Sequence, residues 1–70
     1  MDVQGAIGAK VRKLRKARGW SQETFADHCG LHRAHMGQVE RGEKDVAIST
    51  LRKISRGLGM TVSKLLDGVT

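Results

Sequence analysis

Residues 20–42 read WSQETFADHCGLHRAHMGQVERG, and this stretch decides the fold. Ser21 is a good N-cap, because its hydroxyl can accept a hydrogen bond from an orphan N–H of the first helical turn. Phe25, Ala26 and Cys29 recur at the spacing of one helix face, which predicts a helix over about Gln22 to Cys29. Gly30 follows, and a residue that takes positive φ without strain is how helices commonly stop. Leu31 restarts the apolar pattern. A second helix is expected from about Arg33 to Arg41, with Met36 and Val39 turned inward and Arg33, Ala34, Gly37 and Gln38 on the other side. Gly42 ends it. Two short helices joined by about three residues that include a glycine make a helix-turn-helix unit, placed at about residues 22–41.

Upstream, Ile7, Val11 and Leu14 form the apolar stripe of a first helix, expected over about Gly5 to Ala17 and extended by Val3 and Ala17. Met1 to Gln4 are expected to fray. The same segment carries Lys10, Arg12, Lys13, Arg15, Lys16 and Arg18, six of the thirteen cations, with no acid among them. Such a run is a solvated face in many proteins; beside a groove-reading unit it suits phosphates. Arg15 stands apart because it follows Leu14 at the edge of the inward stripe, where a lone cation is costly to bury. Gly19 should stop this helix and return Trp20 to the core as a packing anchor rather than a base-stacking platform.

Downstream comes a polar loop, Glu43-Lys44-Asp45, and then Val46 to Ile48, expected to pack across the bottom of the domain. A fourth helix should start at Ser49 or Thr50, with Leu51, Ile54 and Leu58 as its stripe and Gly57 and Gly59 flanking its end. Thr61 resembles another N-cap and opens a short last helix with Val62, Leu65 and Leu66. That helix is too short to turn all its apolar residues inward, so some, with Val69, are expected to form a self-complementary patch. Proline is absent and strand-type alternation is not sustained, so the fold is read as all-α with five helices.

Seventy residues suit one small domain, spanning 1–70, near the lower limit for a core without staples. A single cysteine cannot close an internal disulfide. No apolar run approaches the roughly 20 residues that cross a bilayer, and the N-terminus lacks a charged-then-apolar leader. A soluble cytoplasmic protein with no membrane partner is the expectation. A formal net charge of +6 and a pI near 10.3 call for a polyanionic partner. Enzyme chemistry fares poorly, since no glycine-rich phosphate loop, paired carboxylates in an apolar setting or nucleophile–base pair is present. His28, Cys29, His32 and His35 invite a metal reading, but the Gly30 turn separates them and Cys29 falls on the buried face. No metal, cofactor or small-molecule ligand is expected.

Gln22 at the head of a helix, Ala26 four residues on, Gly30 in the turn, Met36 and Val39, and then Glu40-Arg41-Gly42 together resemble the Cro/CI-type repressors of the XRE family. Leu14-Arg15 followed by Gly19-Trp20, and the segment from Thr50-Leu51 to Leu58-Gly59, match as well, so the resemblance covers roughly Ile7 to Leu66. It implies a five-helix, lambda-repressor-like domain that binds operator duplex DNA and regulates transcription, most often as a repressor. By the same resemblance His32, Arg33, Ala34 and Gln38 face base edges in the major groove. Ser21, Gln22, His35, Arg41, Lys44 and Arg15 meet the DNA backbone, and Arg15 pairs with Glu40 to tie the first helix to the third. Gly37 departs from the family, whose members often have a larger polar residue there. Arg33 is the strongest candidate reader, because arginine bidentate to guanine is the commonest specific contact. Dimers of the family often use the C-terminal helices, which implies a homodimer on a pseudo-palindrome. Restriction–modification controllers and phage or mobile-element repressors are the nearest stand-alone types. An antitoxin-type module that binds a partner protein and also contacts DNA is the alternative. Duplex RNA fits less well, because its narrow major groove excludes a reading helix.

Overall fold

The protein is described by a computed structural model that covers residues 2–43 and 45–69. Five helices follow one another: α1 (Val3–Ala17), α2 (Gln22–Cys29), α3 (Arg33–Arg41), α4 (Ile48–Leu58) and α5 (Val62–Leu66). The described residues contain no strand, so the all-α expectation holds. None of these helices is long and apolar enough to cross a membrane.

Local chemistry sets the helix ends. The Ser21 hydroxyl accepts from the Thr24 N–H at 3.0 Å, and the Thr61 hydroxyl accepts from the Lys64 N–H at 3.0 Å. Gly30 closes α2 at φ 69°, a left-handed conformation that a β-carbon would strain. There the Leu31 N–H bonds back to the Ala26 carbonyl at 2.9 Å, which fixes the sharp turn into α3.

Two boundaries differ from the sequence reading. The first helix begins at Val3 and not at Gly5, because the Asp2 carboxylate caps it through the Gly5 N–H at 2.9 Å. Gln4, expected to fray, is helical, and its amide oxygen accepts from the Val46 N–H at 3.0 Å. The fourth helix begins at Ile48, ahead of Ser49 and Thr50, with Ala47 as an extended N-cap that makes no side-chain bond.

Val11, Phe25, Met36, Val39, Ile54 and Leu65 are wholly enclosed, and Ile7, Ala26, Cys29, Leu51 and Leu58 complete the core. Every helix contributes to it. Burying a side chain such as Phe25 contributes about 1.5–3 kcal/mol. Val3 is 44% exposed and Ala17 is exposed, so neither extends the buried stripe of α1. The cause is helical drift: residues eight apart stand about 80° apart around the axis, which carries Val3 off the face of Val11. Ile48 is 66% exposed; Val46, tied to Gln4, is the strap residue that packs on the core. Val62, Leu66 and Val69 are only partly covered.

The helices α1 and α3 touch backbone to backbone. A β-carbon at Gly8 would lie 2.4 Å from the Val39 carbonyl oxygen and 2.6 Å from that of Glu40. At the other end of α1, the Trp20 ring stacks on Phe25 at 5.6 Å and on His28 at 4.5 Å between centroids. The Arg18 guanidinium stands 5.7 Å over the same ring and donates to the Leu58 carbonyl at 2.8 Å. Trp20 is thus the packing anchor at the meeting of α1, α2 and α4.

Candidate nucleic-acid interface

The site is built around one carboxylate. Glu40 lies on the inward side of α3, and its side chain is 2% exposed. Arg15, from α1, approaches it as a fork: Nε donates to Oε2 at 2.8 Å and Nη2 donates to Oε1 at 2.9 Å. The third arginine nitrogen, Nη1, donates to the Trp20 carbonyl at 2.8 Å. Gln22, the first residue of α2, completes the set by donating from Nε2 to Glu40 Oε1 at 3.2 Å. One carboxylate therefore joins α1, α2 and α3. Among the described residues no buried side-chain nitrogen or oxygen lacks a partner.

This junction brings the N-terminus of α2 and the outer face of α3 into a fixed relation. Arg33 and Ala34 are exposed on the first turn of α3, while His35 and Gln38 are half-buried on it. His32 is the N-cap of α3 in extended conformation and makes no capping bond, so its imidazole stays exposed. Arg33 approaches Glu23 at 3.8 Å with both side chains about 70% exposed, a contact of the kind that contributes little. Its guanidinium is available to a ligand. Ser21 is differently placed. Its hydroxyl proton goes to Thr24 Oγ1 at 3.0 Å while its oxygen caps Thr24, so it serves the turn first.

Arg41 ends α3 beside the loop and bonds Glu43, Nε to Oε2 at 2.5 Å and Nη2 to Oε1 at 3.3 Å. The hydrogen bond from Arg41 holds the Glu43 carboxyl below the usual carboxylate range, and the same bond raises Arg41 further. Gly37, expected on the outer side, is buried because Arg41 folds back across it: a β-carbon there would stand 2.9 Å from Nη1. Lys44, named above as a backbone contact, lies outside the described residues.

His28, Cys29, His32 and His35 are not brought together. His28 stacks on Trp20, and Cys29 is buried with its Sγ 2.5 Å from where a Gly57 β-carbon would stand. Burial pushes the Cys29 thiol up to about 11. No group of three or more potential metal ligands is assembled among the described residues.

Sequence reasoning missed two parts of the site. Gln22 and Glu40 are 18 residues apart, and no local pattern links them. The return of Arg41 over Gly37 did leave a signal, since residues four apart on a helix are neighbours and long side chains lean toward the N-terminus.

The helix-turn-helix family HTH_3 matches residues 11–65. The control protein C.SmaI of Serratia marcescens is 41% identical over 66 residues, covering 94% of this chain and 79% of that one. Among solved structures, the restriction-modification controller protein C.AhdI from Aeromonas hydrophila superposes with a TM-score of 0.84 at 37% identity, over 89% of this chain and 94% of that chain. SinR, a master regulator for biofilm formation solved in complex with DNA, gives a TM-score of 0.79 at 31% identity over 87% and 98%.

Proposed function

This chain belongs to the HTH_3 family of helix-turn-helix proteins, and from that premise we propose that it is a transcription regulator that reads duplex DNA. It acts in the cytoplasm as a homodimer on a pseudo-palindromic operator, in the manner of a restriction–modification controller, and represses. The observation that carries this reading is the Glu40 junction, which fixes the exposed first turn of α3 against Gln22 at the head of α2.

In this reading α3 enters the major groove. Arg33 takes the O6 and N7 edge of a guanine, and Gln38 meets an adenine or a thymine edge. His32 and Ala34 flank them and read less. The backbone is held by Gln22, whose amide oxygen and second N–H take no partner among the described residues, by the amide groups and positive dipole end of α2, and by Ser21, His35, Arg41 and Lys44. Arg15 keeps one N–H on each of its terminal nitrogens for a nearby phosphate, so it can serve the junction and the DNA together. Two copies join through the C-terminal helices, where Val62, Leu66 and Val69 remain partly uncovered. Two-fold symmetry then spaces the two copies of α3 by one DNA turn, about 34 Å.

Selection of binding sites from randomised duplexes at physiological salt tests the proposal. Enrichment of an inverted repeat with half-sites one turn apart is expected. Binding that falls steeply with salt and enriches no sequence would overturn it. Arg33→Ala should weaken the selected site by about 1–3 kcal/mol and relax preference at one base pair. Equal weakening on random DNA would remove Arg33 from the base-reading set.

A further inference from the structure

Arg33, Gly37 and Arg41 stand four residues apart along one face of α3. The middle position carries no side chain, and Arg41 occupies the recess from its own end, with Nη1 2.9 Å from the site of a Gly37 β-carbon. Its guanidinium therefore lies along the outer face of α3, on the side of Arg33, and does not point off the helix end. What holds it there is Glu43, which engages Nε and Nη2 together. Both side chains are about half exposed, so the pair can exchange partners. A carboxylate that takes two N–H groups of an arginine occupies the donors that a phosphate would take, because both acids offer paired oxygens to the same fork.

We propose that Glu43 is an intramolecular stand-in for a DNA phosphate, holding Arg41 on the face of α3 until the duplex displaces it. The inference rests on the DNA-reading function above and adds a control element to that site. Binding exchanges one anion for another on Arg41 and leaves Glu43 as a free, exposed carboxylate. Added salt screens the Arg41–Glu43 pair as well as the DNA contact, so it weakens the competitor along with the target. Two consequences follow: wild-type binding is weaker than its cation count implies, and its salt dependence is shallower than it would be without Glu43. Because a phosphate is the target, the effect is the same on every sequence.

The test is binding of the full chain to operator and random duplexes across a salt series, for wild type, Glu43→Gln, Arg41→Ala and the double variant. Helicity by circular dichroism checks that each variant is folded. Glu43→Gln should tighten both duplexes by about two- to fivefold, the worth of an exposed pair, and steepen the salt dependence of binding. In the Arg41→Ala background the same substitution should do no more than Asp45→Asn, which removes a nearby exposed acid and reports simple repulsion of DNA. An equal gain from Glu43→Gln with and without Arg41 would overturn the proposal, since general repulsion would then account for it. A gain confined to the operator would also overturn it, by placing Arg41 on a base. Wild type that binds no duplex at all would instead sink the DNA-reading function itself, so the two failures are distinguishable.

Discussion

Replacing Arg15 by alanine tests the junction on which α3 stands. The Glu40 carboxylate is nearly enclosed and accepts three hydrogen bonds, two of them from Arg15. Without Arg15 it keeps one neutral bond of 3.2 Å from Gln22 and remains an almost unpaired buried charge. Breaking a buried pair from one side costs about 3–5 kcal/mol. The lost bond to the Trp20 carbonyl, worth about 0.5–1.5 kcal/mol, moves the total toward the upper end of that range. A domain of this size has roughly 4–10 kcal/mol of stability in all, so Arg15→Ala should sit near the edge of folding.

Thermal unfolding followed by helicity should show the midpoint lowered by at least about 12 °C, at 4–8 °C per kcal/mol. Charge and packing are then separated by a double variant, Arg15→Met with Glu40→Leu. Apolar replacement of both partners is often neutral or stabilising, so the double variant should recover most of the loss. A single variant that loses less than about 1 kcal/mol, as exposed pairs do, would refute the reasoning. A double variant as unstable as the single one would move the explanation from charge to packing.

Three further outcomes are expected. Gly8→Ala should destabilise by about 1–3 kcal/mol in denaturant unfolding, although alanine is the better helix former, because its β-carbon would meet backbone oxygens of α3. The Cys29 thiol is held neutral up to about 11 by desolvation, against an ordinary value of 9.0. Stability from this group is therefore complete below pH 9 and lost as pH rises toward 11, where only the unfolded chain ionises. Wild type should lose about 2–3 kcal/mol relative to Cys29→Ala over that window, and a constant difference between the two proteins would count against it. Asp2→Ala removes the cap of α1 and should speed amide exchange at Gly5 and its neighbours, with a cost near 1 kcal/mol.

The ends of α2 and α3 could be read in advance because their signals are local. Ser21, Gly30 and Gly42 each act on residues within one turn, and the stripes of Phe25, Cys29, Met36 and Val39 follow the helix period. Asp2 escaped notice because a lone acid near a chain end is weak evidence until a helix is seen to start on it. Ile48 failed as a strap residue because hydrophobicity says that a side chain prefers cover, while the neighbouring Val46, anchored to Gln4, took the place on the core. The outward placement of Arg33 and Ala34 followed from periodicity. The convergence of Arg15, Gln22 and Glu40 did not, because it depends on how three helices cross. The interior glycine at position 8 permits a close crossing, but only the fold shows that α3 is the element that comes close.

The three-helix grip of Glu40 also bears on DNA that the protein does not touch. On the proposed function, α3 is cross-linked to its neighbours through buried bonds and cannot swivel to follow an ill-fitting groove, so the duplex would bend and twist to suit the protein. The energy of that distortion depends on how stiff each base step is, with pyrimidine–purine steps yielding most readily. The rigidity of the domain then becomes a filter on spacer sequence. Two operators with identical contacted bases would differ in affinity through the flexibility of the base pairs between their half-sites.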